Sequence, residues 1–323
     1  MADTDIVGAE QYLRKINLVV YDTQLNGLDL SDLRIKFSVK RADTETPNAA
    51  DIRVYNLSKE TALSILINLS PTERQPNRGR VILQAGYQGN YGVIFQGNIK
   101  QIILGRESAT DTFIDIVAGD GDRAYNFAVV NATLAKGSTQ IDQVNAAVTA
   151  MSPKGVTAGH LGIMPPEQLP RGKVMYGNAR NYLRDVAQST KKTWSIQDEK
   201  ITFVPLKSYL PGERVVLTSK TGLIGTPQQT NVGVNVKCLL NPLIQIGGRV
   251  DISEATVSDF KIDLTKINSA ANIPAPQTAD GVYYVLVVEH SGDTRGIEWY
   301  SSLICLYIDP SSNPFNSVQV GFG

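Results

Sequence analysis

Residues 219–253 read SKTGLIGTPQQTNVGVNVKCLLNPLIQIGGRVDIS, and this stretch decides the fold class. It opens with a glycine turn, Gly222-Leu-Ile-Gly225, followed by Pro227, which fixes φ and removes a backbone donor. A strict alternation follows. Val232, Val234, Val236, Cys238 and Leu240 point one way, with Gly233, Asn235 and Lys237 between them. Period-two patterning of this length marks a half-buried strand. Asn241-Pro242 ends it, because proline cannot donate to a ladder and pushes the preceding residue away from helical geometry. Gly247-Gly248 then turns the chain into Arg249-Val-Asp-Ile252, read as the partner strand of the hairpin.

The same alternation recurs on both sides. Upstream, residues 13–21 and 33–40 are strands placed around an Asn26-Gly27 turn, and Leu33, Ile35, Phe37 and Val39 share one face of the second. Further strands are expected at 50–57, 79–87, 92–104 and 110–118, with a short helix at 59–69 capped by Ser58 and striped by Leu63, Leu66 and Ile67. Six strands with one helix imply a closed or nearly closed barrel. Glycine inside Phe95-Gln-Gly-Asn-Ile99 marks a bulge or a tight corner.

After Gly119-Asp-Gly-Asp122 the period changes. Asp-Gly-Asp lacks the remaining ligands of a twelve-residue calcium loop and reads as a turn. Ser138 is placed as the cap of a helix over 139–151, faced by Ile141, Val144 and Val148. Residues 177–192 form the best-patterned helix, with Ala179, Tyr182, Leu183, Val186 and Ala187 on one stripe and Lys191-Lys192 at its negative pole. A hairpin follows, 193–197 and 200–204, turning at Asp198-Glu199. Downstream, strands are expected at 256–264, 280–290 and 296–309, with a proline loop around Pro274 and Pro276 and a polar tail over 310–323. The fold class is therefore mainly β with an α+β insertion. The domains are 1–120 (first β-barrel), 121–218 (α+β insertion) and 219–323 (second β-barrel with a C-terminal tail).

Composition bounds the function. The 31 basic and 31 acidic residues balance, so no bulk charge favours nucleic acid, membrane or an acidic substrate. The N-terminal residues lack the basic-then-apolar pattern of a signal peptide, and no apolar run approaches the length of a membrane span, which points to a soluble protein made in a cytosol. Cys238 and Cys305 lie in apolar alternating runs and read as core residues. His160 and His290 are the only histidines, each at a loop or strand end where backbone hydrogen bonding satisfies it. Cys238 with His290 would be a Cys-His pair, but Cys238 holds a core-facing register where thiols are inert. Glu289, Asp293 and Glu298 cluster at the last hairpin and are the carboxylates a glycosidase would need, although a solvated turn explains them. There is no Walker A sequence, no G-x-G-x-x-G opening a helix, no CxxC and no HExxH. The residues read a non-enzymatic β-rich protein with no cofactor and no metal site.

Particular motifs resemble a known group. They are Thr221-Gly-Leu-Ile-Gly-Thr-Pro-Gln-Gln-Thr230, Gly233-Val-Asn-Val-Lys-Cys-Leu-Leu-Asn-Pro242, Gly281-Val-Tyr-Tyr-Val-Leu-Val-Val-Glu-His-Ser-Gly-Asp293, Trp299-Tyr-Ser-Ser-Leu303 and, near the start, Asp51-Ile-Arg-Val-Tyr-Asn-Leu-Ser-Lys-Glu-Thr61. In these the chain resembles the baseplate hub proteins of contractile-tailed bacteriophages, the T4-hub-like and Mu-like tail hubs. The resemblance marks Gly222, Gly225, Pro227, Val234, Val236, Cys238, Asn241, Pro242 and Trp299 as structural positions and no residue as catalytic. It implies two tail-tube-like barrels per chain and a homotrimer, a ring with six barrels around a channel. Its partners would be the tail tube protein, the central spike protein and other baseplate proteins, with DNA passing only transiently. Such a protein is assembled in the host cytoplasm and ends in the virion tail. The polar strand faces at 34–40 and 233–237 would then line the lumen or meet a neighbour. The alternatives are a cell-wall-degrading or carbohydrate-active tail enzyme and a monomeric host-binding module.

Overall fold

The computed structural model of the chain describes residues 12–22, 26–70, 79–206, 208–229, 233–252, 261–262 and 281–307. Val232, Ser253, Pro274, Pro276 and the tail over 310–323 lie outside the described residues, as does all but Lys261–Ile262 of the strand expected at 256–264. Strands take 49% and helices 17%, so the fold is mainly β with a small helical insertion.

The first β region contains β1 (Arg14–Tyr21), β2 (Gly27–Asp29), β3 (Ile35–Ala42), β4 (Ala49–Tyr55), helix α1 (Lys59–Leu69), β5 (Arg80–Tyr87), β6 (Asn90–Arg106) and β7 (Thr112–Gly119). The insertion contains α2 (Asp122–Phe127), β8 (Val129–Leu134), α3 (Gln140–Met151), β9 (Thr157–Ala158), β10 (Lys173–Asn178), α4 (Ala179–Ser189), β11 (Lys192–Gln197) and β12 (Lys200–Pro205). The last region adds β13 (Arg214–Val216), β14 (Leu223–Gln229), β15 (Val234–Leu239), β16 (Arg249–Asp251), β17 (Lys261–Ile262), β18 (Val282–Asp293) and β19 (Trp299–Leu306).

Both β regions belong to one 14-stranded sheet, ordered β17-β14-β15-β19-β18-β3-β4-β7-β6-β5-β1-β2, with β16 added beside β18 and β13 beside β16. The seam is an antiparallel ladder between β3 and β18 that runs from Lys36↔Asp293 to Ala42↔Val287. Inward-facing Leu18, Val39, Ile52, Leu83, Ile94 and Ile116 come from six strands yet form one buried cluster, so the sheet curls around a core. Trp299 and Leu240, from the far end of the sequence, complete that core. The Trp299 ring meets Phe37 edge-on at 5.4 Å, and its Nε1 donates to the Gly86 carbonyl at 3.2 Å. Val236, Cys238, Val250, Tyr283, Leu303 and Cys305 build a second β core, and Val144, Leu183, Trp194, Ile196 and Phe203 a third inside the insertion.

Local chemistry explains the elements. β6 spans 17 residues because it changes partners midway, from β5 to β7. Two register shifts bracket the change, and at Gly97 a Cβ would sit 2.6 Å from the Gly119 carbonyl oxygen. Only glycine permits that approach. Ser58 caps α1 by accepting the Thr61 N–H at 3.1 Å.

Several sequence expectations are corrected. β1 and β3 do not pair; β1 lies between β5 and the short β2, because β3 gives its two edges to β4 and β18. The buried stripe of α1 runs through Ile65 and Leu69, leaving Leu63 and Ile67 exposed. Thr139 rather than Ser138 caps α3, since Asp142 is spaced to complete a reciprocal capping box with it. Lys192 begins β11 instead of ending α4, and its Nζ donates to the carbonyls of Leu161 and Ile163. Arg249–Asp251 pairs with β13 and β18, not with the strand at Val234–Leu239. In β18 alternation would put Val282, Tyr284, Leu286 and Val288 on one face, but a register shift between Val285 and Val287 breaks it, and Tyr283, Val285 and Val288 are buried in one core.

Candidate functional site

The widest feature with functional character is the polar face of the sheet. β-strand residues two apart share a face, and the registers carry one row across four strands: Lys237, Ser302, Glu289 and Lys40. A second row runs Tyr300, Ser291, Ser38, Asp51, Val117, Gln101, and a third Asp293, Lys36, Arg53, Asp115, Ile103. The polar stretches at 34–40 and 233–237, far apart in sequence, are thus brought onto one surface through β19 and β18.

That surface carries two shallow hollows. One trough of ≈ 520 Å³ is lined by Lys36, Ser38, Asp51, Arg53, Asp115 and Ser291. Another of ≈ 510 Å³ is lined by Gly225, Gln228, Asn235, Lys237, Glu289 and Ser302. Several charges within it are paired locally. Lys40 Nζ lies 3.8 Å from Glu289, which also accepts from the Ser38 hydroxyl at 3.2 Å. Arg53 forks onto Asp115 at 2.7 and 2.9 Å and stacks over Phe113, and the Asp115 bond holds the guanidinium pKa above its usual value. Lys237 sits over the Tyr300 ring at 4.3 Å.

The positions singled out in the sequence line the opposite face or the turns. Val234, Val236 and Cys238 are buried, with Cys238 opposite Ser301 and Cys305 opposite Val234, so the two thiols are not cross-strand partners. Gly222 precedes β14, and Gly225 lies inside it at φ +70°, within the register shift between Ile224 and Gln228. Pro227 is buried in the same strand. Asn241 accepts from Asn90 at 2.8 Å and from the Leu243 N–H at 2.9 Å, and Pro242 follows it at the turn.

His290 does not meet the demands of catalysis. His290 is 1% exposed, its Nδ1 lies 2.8 Å from the equally buried Ser301 hydroxyl, and burial pushes its pKa down to about 3. Cys238, also fully enclosed, has its thiol pushed up to about 12 by desolvation. Glu289 and Asp293 are four residues apart on one strand, about 13 Å by strand rise, beyond the roughly 5–9.5 Å separation of a glycosidase pair. Arg34 instead engages Asp293 at 2.8 Å and holds its carboxyl below the usual range. Among the described residues no group of three or more His, Cys, Asp or Glu is placed to hold a metal, and no helix is long and apolar enough to cross a membrane.

Sequence reasoning missed the polar junction where the insertion meets both β regions. The β11–β12 turn places Asp198 and Glu199 at φ +52° and +61°, a left-handed pair that favours Asn-Gly. Asp120, read as part of a simple turn, accepts the N–H of both at 2.7 Å. Asp198 pairs with Arg41 at 2.7 Å, and Glu199 pairs with Arg80 and accepts from Gln96 at 2.9 Å. Asp43 accepts from Thr193 at 2.7 Å and from Tyr284, so one buried carboxyl contacts the insertion and the last region together. The only sequence signal was the absence of glycine at a two-residue turn.

No family described from sequence matches the chain, and no curated protein matches it. Solved structures do. A tail protein from Neisseria meningitidis MC58 aligns over 90% of this chain and 96% of its own, at TM-score 0.54 and 9% identity. The 43 kDa tail protein of prophage MuSo2 from Shewanella oneidensis aligns over 92% and 98%, at 0.57 and 8%. The E. coli c3393 protein aligns over 93% and 78%, at 0.53 and 10%; it is a component of the type VI secretion system with structural similarity to the T4 bacteriophage tail proteins gp27 and gp5. The chain shares the fold of these three proteins over 90–93% of its length.

Proposed function

We propose that the chain is a structural subunit of the baseplate hub in a contractile phage tail. Three copies form a ring in which the β regions of 1–120 and 219–323, the latter joined by β13 (Arg214–Val216), act as tube-like barrels, six around a channel, while the rest of 121–218 forms the insertion between them. Two similar barrels per chain turn three-fold into pseudo-six-fold symmetry, and a closed ring leaves no open heterologous contact. The ring joins the tail tube to the central spike, and DNA crosses it transiently. Gly222, Gly225, Pro227, Val234, Val236, Cys238, Asn241, Pro242 and Trp299 then shape strands and turns and carry no chemistry. The protein is assembled in the host cytoplasm and resides in the virion tail.

The observation that carries this reading is the polar face continuous across both β regions. A channel for a polyanion must be hydrated without gripping its cargo. Unpaired cations would hold DNA through counterion release; here Lys40 and Arg53 are each set against a carboxylate, while Lys36 and Lys237 have no ion pair among the described residues. The likeness to whole tail proteins supports the structural assignment. Electron cryo-microscopy of the chain co-assembled with tube and spike proteins tests it. The expected image is a three-fold ring with Lys40, Asp51 and Lys237 facing the lumen; a ring with that face outward refutes the reading.

A further inference from the structure

The insertion carries an exposed face, rich in apolar side chains, that no strand or helix among the described residues covers. β8 and β10 form an isolated two-stranded ribbon in the register Thr133↔Val174 and Asn131↔Tyr176. Its inner face packs Val130 and Met175 into the insertion core. Its outer face presents Val129, Val174 and Tyr176 at 54%, 74% and 75% exposure, interleaved with exposed Asn131 and Thr133, and Phe127, two residues before β8, is 64% exposed. Such contiguous exposure on a small unit marks an interaction surface. The outer edge of β10 is partly closed, since the Tyr176 N–H donates to the Tyr182 hydroxyl at 2.8 Å. The outer edge of β8 has no strand partner among the described residues.

Charge selects the occupant. Lys136 and Arg171 lie exposed at the ends of the two strands, and neither they nor Arg180 pairs with a carboxylate among the described residues. Residues 121–206 hold ten Lys and Arg against six Asp and Glu, so the rest of this neutral chain holds 21 against 25. The chain therefore supplies its own acidic counterpart outside the insertion. Two-fold pairing of β8 with β8 would set basic rims side by side, whereas a head-to-tail contact sets basic against acidic. At the terminal strand of the large sheet, β2, Leu28 is exposed beside Asp29 and Asp32.

We propose that the outer face and free edge of the β8–β10 ribbon form the contact with the next copy of this chain, received by the acidic sheet end at β2. This rests on the reading of the chain as a ring-forming tail subunit. Strand addition at the open edge supplies backbone hydrogen bonds, and Tyr176 and Val174 supply the anchoring apolar area.

Sedimentation of the purified full chain over increasing concentration tests it, beside a V174D/Y176D variant whose two sites are exposed in the monomer. Wild type is expected to associate, more weakly at high salt, and the variant at least tenfold more weakly with an unchanged thermal unfolding midpoint. A Leu28→Cys, Val129→Cys double variant is expected to give disulfide-linked oligomers, since native Cys238 and Cys305 are buried. A variant that associates like wild type, or a wild-type chain monomeric at every concentration, overturns the proposal. If either still enters rings with tube and spike proteins, the hub reading stands and only this contact falls. A wild-type chain that never enters a tail assembly overturns both.

Discussion

Replacing His290 with glutamine should flatten the acid limb of the stability curve. The imidazole is 1% exposed, held by Ser301, and burial pushes its pKa from the ordinary 6.5 to about 3, with the positive field of Arg41 adding to the effect. The unfolded chain therefore binds a proton that the folded chain refuses. The stabilisation is fully present above pH 6.5 and is lost as pH falls from there toward 3. At 1.36 kcal/mol per pKa unit, His290 withdraws about 2 kcal/mol by pH 5 and about 5 kcal/mol by pH 3 as an upper bound. Asp43 and Asp120 act in the opposite sense: burial raises both, so their contribution grows as pH falls. They are common to both proteins and cancel in the difference. Urea denaturation followed through Trp194 and Trp299, which lie in different cores, should show a variant about 1 kcal/mol weaker at pH 7.5, from lost packing. It should match or exceed wild type by pH 5. Stability curves that stay parallel from pH 7.5 to 4.5 would refute the assignment of a neutral buried His290.

Asp120→Ala should release the β11–β12 tip. Two hydrogen bonds to left-handed backbone are lost at about 1–3 kcal/mol each, and amide exchange at Asp198 and Glu199 should accelerate before the sheet does. Trp299→Ala should cost about 3–5 kcal/mol while the β regions still unfold in one transition; two separated transitions would show that the shared ladder and core do not couple them. Val236→Asp buries a charge with no partner and should abolish soluble protein or ring assembly; soluble, assembled rings would show the inward face is wrongly assigned. Asp51→Lys with Glu289→Lys unbalances the polar face and should make rings retain duplex DNA at low salt; unchanged passage, measured by co-sedimentation, would count against a lumen lining.

Period-two alternation made most strands and the β class legible, and the 3.6-residue stripe of α4 placed Leu183, Val186 and Ala187 in the insertion core. What it could not show was pairing. Alternation says which side chains share a face of one strand and nothing about the strand alongside, so Arg249–Asp251 looked like the hairpin partner of Val234–Leu239 although it pairs with β18. Helix α2 and strands β8 and β10 went unread because each is only six residues long and the ribbon leaves apolar residues outside. Such a surface breaks the inside-outside rule on which the pattern rests.

The pairing of β3 with β18 reaches the consequence furthest from the sequence. Its partners stand about 250 positions apart, Lys36 with Asp293 at one end and Ala42 with Val287 at the other. A single-residue slip would turn Val39 and Phe37 outward and bring Lys36 and Lys40 into the core. His290 opposite Val39 and Gly292 opposite Phe37 fix that register. The same register aligns Glu289 with Lys40 and Ser291 with Ser38 on the other side. The buried and the polar face are thus set by one choice, and the packing that holds the two β regions together also makes their polar rows continuous. Any variant that shifts the seam should therefore lose stability and the continuous polar face together, never the face alone.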